Sequence, residues 1–283
     1  MKGRILHLLI VCILGLCIFE VAYAATSFSE NFDSLIPGTS ITTSNTNFTY
    51  VRIGSGGGTI TAESAVSGEP YMRLGGSTIT SLNGVGIQST LGNLNLLTLN
   101  FRLNLEDTNG DLFIGAGNGT MFTSNVIFVT TQLMFGIESN NGNLDYRTTG
   151  WNSTGQTLTP GVNYDFHIVV NRSGSAVNYG SYSVANGTMD LFIDGVLVGD
   201  NLPIANNQNA TGFRIYQVDG GHYARIDSIT IDDTALPPFA PTALTLTHFT
   251  AKDLPHLWIN VLLALALLGL SCLLWLGQRL HRN

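Results

Sequence analysis

Only 11% of the 283 residues are charged, and between residues 25 and 256 eighteen acidic side chains stand against eight basic ones. A net charge near −10 over that stretch repels nucleic acid and anionic lipid headgroups, and so excludes both as partners. Cys12, Cys17 and Cys272 all lie in apolar terminal segments, so no disulfide framework exists and the core between them must hold without covalent staples.

Residues 1–24 read as a secretory signal peptide. Lys2 and Arg4 supply a basic start, residues 5–19 are an apolar run, and Ala22-Tyr23-Ala24 is an A-x-A cleavage site. The exported chain is expected to begin at Ala25. Residues 25–235 then form the exterior domain, a length ordinary for one all-β sandwich.

Within it, short apolar-alternating runs sit between Gly, Asn, Asp and Ser clusters. Leu97, Leu99, Phe101, Leu103 and Leu105 alternate with Thr98, Asn100, Arg102 and Asn104, the period of two of a half-buried strand. Phe166, Ile168 and Val170 alternate with Asp165 and His167 in the same way. Residues 125–131 and 212–218 read as further strands. Ile193-Asp194-Gly195-Val196 places Asp-Gly between two apolar runs and predicts a tight hairpin. Asn109-Gly110, Asn118-Gly119, Asn141-Gly142 and Asn186-Gly187 predict other reversals, because Gly and Asn tolerate the positive φ such turns need. No stretch outside the two ends keeps a helical period.

From residue 236 the chain changes character. Residues 236–256 are rich in Pro and Thr and read as a stalk. Residues 257–276, LWINVLLALALLGLSCLLWL, are long and apolar enough for one transmembrane helix. Arg279, His281 and Arg282 lie in a short basic tail, residues 277–283, that should stay cytoplasmic and so place the domain outside. Stalk, short motif, span and basic end together resemble the sorting and anchoring tails of bacterial surface proteins. The cysteine-free exterior also favours a bacterial surface.

Three segments carry a second resemblance. Ser29-Glu30-Asn31-Phe32-Asp33 opens the domain, residues 189–198 (MDLFIDGVLV) form a late hairpin, and residues 225–232 (RIDSITID) close it. In this order they resemble the concanavalin A-like lectin/glucanase superfamily, laminin G-like modules included. The resemblance implies a jelly roll of two curved antiparallel sheets in which first and last strands pair. It also implies a structural calcium ion on those strands, with Glu30, Asp33, Asp227 and Asp232 as the ligand set. Calcium takes several oxygen ligands, which these side chains offer. Ile226 and Ile229 break the period of two, as a bulge at Asp227-Ser228 would.

Catalytic chemistry finds little footing. The superfamily's glucanases carry both carboxylates in a Glu-x-Asp-x-x-Glu run, and none occurs here. Glu138 and Asp145 are the nearest pair, with a turn between them. No Gly-x-Ser-x-Gly occurs, and His167 and His222 stand apart from any zinc-spaced partner. Binding is better served. Sugar C–H faces stack on aromatic rings, and planar polar groups meet hydroxyls. Trp151, the one tryptophan before the tail, sits in a polar stretch expected as a loop, close to Tyr146 and Arg147, with Tyr182 a further candidate. The sequence thus predicts a membrane-anchored, non-catalytic binding module for a glycan or surface partner. A structural or adhesive surface protein without a small ligand is the alternative, and a glycoside hydrolase is disfavoured.

Overall fold

The computed structural model describes residues 25–238, apart from 55–56, 65–69, 80–83, 120–127 and 219. The signal segment and the candidate span at 257–276 lie outside the described residues. Among the described residues no helix is long and apolar enough to cross a membrane.

Two antiparallel sheets face each other. The first holds β1 (Thr26–Glu30), β3 (Thr59–Ser64), β4 (Pro70–Ile79), β6 (Leu96–Leu105), β11 (Asn163–Asn171), β14 (Thr188–Ile193), β15 (Val196–Pro203) and β17 (Gly220–Asp232), in the order β15-β14-β11-β6-β17-β4-β3 with β1 also paired to β17. The second holds β2 (Tyr50–Ile53), β5 (Val85–Leu94), β7 (Asp111–Gly117), β8 (Leu133–Asn140), β9 (Asn143–Arg147), β10 (Trp151–Thr157) and β16 (Ala210–Val218), in the order β10-β9-β8-β7-β16-β5-β2. A small hairpin, β12 (Val177–Tyr179) and β13 (Tyr182–Val184), stands apart. This is an all-β sandwich, and its first and last strands pair, with Phe28 opposite Ile231.

Alternation explains the core. Leu97, Leu99, Phe101, Leu103 and Leu105 of β6 point into one cluster with Phe135, Ile137, Phe213 and Ile215 of the facing sheet. Phe101 and Phe166 stack at 4.8 Å between centroids. The turns follow their residues: Asp194 and Gly195 have φ 51° and 76°, and Asn141 and Gly142 have 49° and 82°, the mirror-image turns that match strand twist. β17 bulges as expected, its register against β6 shifting between Asp227 and Thr230 with Ser228 at φ 54°.

Three details depart from the sequence reading. Of the expected strand at 125–131, residues 125–127 lie outside the described residues and residues 128–131 form no strand, Thr130 and Thr131 belonging to a single 3-10 turn, Thr130–Gln132. Trp151 begins edge strand β10 rather than lying in a loop, the turn being confined to residues 148–150. β6 is also buried on its polar side at Thr98, because the chain leaving β17 folds back across it. Thr98 Oγ1 donates to Thr234 O at 2.6 Å and accepts from Leu236 N–H at 2.9 Å. Leu236, placed by sequence at the start of the stalk, is thus docked on the sandwich.

Candidate functional site

Cross-strand partners share a face, so register decides which candidate residues meet. Trp151 pairs with Arg147 and lies with it on the outer face of the seven-stranded sheet. Tyr146 pairs with Ile137 and Asn152, turns the other way and packs against the main core. Tyr182 lies in β13, over the other sheet, edge-on to Phe192 at 4.9 Å. Of the four ligand-binding candidates the structure therefore brings together Trp151 and Arg147.

The four proposed calcium ligands are not gathered. Glu30 is buried, and both its oxygens are occupied: Phe32 N–H donates to Oε1 at 3.1 Å and Asn47 N–H to Oε2 at 2.8 Å. Those amides are the partners its position between two apolar rings requires. Asp232 accepts from Thr26 Oγ1 at 2.8 Å, Asp33 from Asn31 Nδ2 at 2.6 Å, and Asp227 from the Ser228 amide at 2.7 Å. Asp227 stands opposite Arg102 and Asp232 opposite Thr98, well apart along β17. Among the described residues no group of three or more His, Cys, Asp or Glu is placed to hold a metal ion. These residues do not fit a calcium site.

The outer face of the seven-stranded sheet is built differently. Its glycines let large rings lie flat. A Cβ on Gly115 would come 2.5 Å from Phe113 Cζ, and one on Gly136 2.8 Å from Phe113 Cε2. A Cβ on Gly84 would come 2.7 Å from Tyr216 Cε1, and Gly86 lies under the same ring. Phe113 then meets Phe128 at 4.7 Å and the edge of Trp151 at 6.3 Å. The Arg147 guanidinium lies 5.1 Å from the Trp151 ring centroid and 5.4 Å from that of Phe128. Trp151 is therefore a half-buried ring anchored edge-on at the rim of the sheet.

Polar groups are set among these rings. Glu138 stands directly opposite both Phe113 and Asp145. The turn at Asn141-Gly142, expected to separate the two carboxylates, is what pairs them, since it opposes Asn140 to Asn143. Burial pushes the Glu138 carboxyl up to about 7, Asp111 and Asp145 adding to the rise and Arg147 opposing it. Glu138 Oε2, Arg147 Nε and the Tyr216 hydroxyl are buried with no hydrogen-bond partner among the described residues. At the far edge Arg214 lies 4.4 Å over the Tyr216 ring, with Tyr50 and Arg52 in electrostatic reach. Burial pulls Arg214 down to about 10, so it stays charged at neutral pH.

By contrast, the charged groups on the outside of the eight-stranded sheet satisfy one another. Glu106 accepts from Arg73 at 2.8 Å and Arg225 at 2.7 Å, which hold its carboxyl down to about 2. Arg102 pairs with Asp165. His167 is buried there, Nδ1 at 2.6 Å from Asn100 Oδ1 and Nε2 at 2.9 Å from Leu236 O. Burial pulls it down to about 4, yet both contacts are drawn to acceptors. The neutral ring satisfies both once the Asn100 amide is turned over, Thr230 Oγ1 then donating to the amide oxygen.

No family model and no curated protein matches the sequence. Solved structures match the fold. A sialidase aligns at TM-score 0.53 and 13% identity over 75% of this chain, which spans 19% of the sialidase chain. A cellulose-induced protein, Cip1, aligns at TM-score 0.50 and 15% identity over 73% of this chain and 97% of that one. At such identities the likeness shows the fold alone, a jelly-roll sandwich of two antiparallel sheets.

Proposed function

We propose that this protein is a membrane-tethered, non-catalytic binding module that takes a glycan on the outer face of its seven-stranded sheet. One observation supports the reading above others. That face combines a half-buried tryptophan at its rim with Glu138, Arg147 and Tyr216 atoms that have no hydrogen-bond partner among the described residues, whereas the opposite sheet pairs Glu106 with Arg73 and Arg225 and Arg102 with Asp165. Sugar sites use aromatic surface for C–H faces and fixed polar groups for hydroxyls. The tether, an exported domain held by the apolar run at residues 257–276, rests on the sequence.

A soluble domain of residues 25–238 on a glycan array tests this, with discrete hits expected. Trp151→Leu keeps apolar volume against Phe113 and Phe128 but removes the platform. It should abolish those hits while moving the melting temperature by only a few degrees, about 1 kcal/mol for a domain of this size. Binding that survives Trp151→Leu would sink the assignment of this face. A blank array would favour the structural or adhesive alternative.

The opposed Glu138 and Asp145 favour a second reading, a glycoside hydrolase, since that chemistry needs two carboxylates across one bond. Release of reducing ends from any array hit, lost in Glu138→Gln, would replace binding with hydrolysis.

A further inference from the structure

Across its outer face the seven-stranded sheet is laid out in rows. One row runs Tyr216, Phe113, Glu138, Asp145 and Ser153, a residue from each of β16, β7, β8, β9 and β10. The next holds Gly115 opposite Gly136 and Arg147 opposite Trp151. Asp111, two residues before Phe113, takes the row on the other side, opposite Asn140. Two carboxylates, Glu138 and Asp145, are therefore direct cross-strand neighbours. Trp151 lies diagonal to Asp145, about 7–8 Å away on such a ladder.

This pair asks for a cation. Like charges set directly opposite each other repel. Arg147 offsets that only in part, its guanidinium lying 5.1 Å from the Trp151 ring centroid and 5.4 Å from that of Phe128. Glu138 is 4% exposed, and its Oε2 has no hydrogen-bond partner among the described residues. A buried carboxylate oxygen without a donor carries its full desolvation cost, which a donor from a ligand offsets. Burial, Asp111 and Asp145 hold Glu138 up near 7 against the opposing pull of Arg147. The pair is reachable, because Asp145 and Trp151 are half-buried while Asn143 and Ser153 are exposed. A bare metal ion fits poorly: calcium takes about six to eight oxygens, and among the described residues no group of three or more His, Cys, Asp or Glu is placed to hold one. An ammonium group is satisfied by fewer acceptors.

We propose that the Glu138–Asp145 pair binds the protonated amine of an amino saccharide whose ring is carried on Trp151. This rests on the glycan reading above and names the class of glycan. Ammonium donors meet carboxylate acceptors in short, charge-assisted bonds, and the neighbouring indole offers apolar surface to the sugar carbons. The domain as a whole favours such a ligand: its net charge near −10 between residues 25 and 256 draws a cationic chain in, and the opposed carboxylates then select where the amine sits.

The test uses the full exterior domain and probes of equal length: an oligoglucosamine, its fully N-acetylated form, a cello-oligosaccharide with hydroxyls in place of the amines, and an oligolysine. Calorimetry at neutral pH should find the oligoglucosamine bound, weakened by added salt, and the N-acetylated and hydroxyl forms weaker by about tenfold or more. Asp145→Asn is the main variant, because the residue is half-buried on the outer face and its amide keeps the shape. It should cost the amine probe about tenfold and bring it level with the N-acetylated one. Glu138→Gln should weaken the same probe while the domain stays folded. Asp200→Asn removes an equal charge from β15 in the opposite sheet and should leave the affinity within about twofold. Equal affinity for the amine and N-acetylated probes, or an Asp145→Asn variant that still distinguishes them, overturns the proposal; array hits lost in Trp151→Leu would then leave the glycan reading standing. A loss in Asp200→Asn as large as in Asp145→Asn assigns the binding to the overall field and overturns the site. Tighter binding of the oligolysine overturns the saccharide in favour of a basic peptide. Failure of every probe, and of the neutral glycans on the array, removes both readings together.

Discussion

Gly115→Ala is the sharpest test of how the outer face is built. Gly115 lies in central strand β7, paired to Arg214 on one side and Gly136 on the other. An added Cβ would meet Phe113 Cζ at 2.5 Å and Phe135 O at 2.7 Å, where ordinary contact is 3.4–4 Å. The Phe113 ring must move by roughly 1 Å, and it is fully buried against Phe128 and Trp151. The Phe135 carbonyl belongs to β8 and cannot retreat without loosening its pairing with β7. Overpacking of this kind costs about 1–3 kcal/mol, and two simultaneous clashes, one with backbone, put this case at about 2–3. For a domain of about 200 residues that is a fall of roughly 4–12 °C in melting temperature. Calorimetry on the soluble domain measures it. Gly150→Ala is the control, since nothing lies within 4 Å of its added Cβ, and its shift should stay within about 2 °C. A Gly115→Ala melting temperature within about 1 °C of the parent would refute the claim that the rings lie pressed onto the glycines.

The remaining predictions concern pH and topology. Buried His167 and His222 both titrate near 4 in the folded protein and near 6.5 when unfolded, so the unfolded chain takes up protons that the folded one refuses. Stability should therefore fall as pH drops from about 6.5 to 4, and His167→Gln should flatten part of that fall in melts taken across the range. Glu138 runs the other way: its folded value near 7 lies above the ordinary 4.5, so its contribution is present below 4.5 and lost as pH rises through 7. Glu138→Gln should accordingly raise the melting temperature at pH 8 and leave it nearly unchanged at pH 4; equal shifts at both would rule out an ionised, desolvated Glu138. For the proposed tether, protease added to intact cells should release nearly the whole domain by cutting after Pro238, because residues 234–237 are docked on the sheet; full protection would contradict an exterior domain.

Much of the fold was legible in the chain. The period of two in residues 97–105 and 166–170 gave strands and their core faces, since alternate residues must point to opposite sides. Asp194-Gly195 and Asn141-Gly142 gave turns, because few other residues adopt their dihedrals. The broken period at Ile226 and Ile229 gave the bulge in β17. The site was far less legible. Trp151 was singled out by being rare and beside polar residues, yet its neighbours Phe113 and Phe128 could not be named. Arg214 and Tyr216 stand only as alternate positions in the strand expected at 212–218, and no strand is expected at Tyr50 and Arg52. That spacing is a signal for a shared face, but it does not say which two strands lie beside the same β5.

The sequence by itself determined which residues alternate, where the chain reverses, and that residues 25–256 hold no cysteine to staple them. Those are local properties, fixed by backbone sterics and by the pleat. Only the tertiary structure decided which of the two sheets each strand joins, because cross-strand pairing is made between residues remote in sequence and is set by packing both apolar faces into one core. That choice placed Glu138 against Asp145, turned Tyr146 inward, set Tyr182 in a separate hairpin over the eight-stranded sheet, occupied Glu30 with backbone amides and brought two arginines and two tyrosines to one edge.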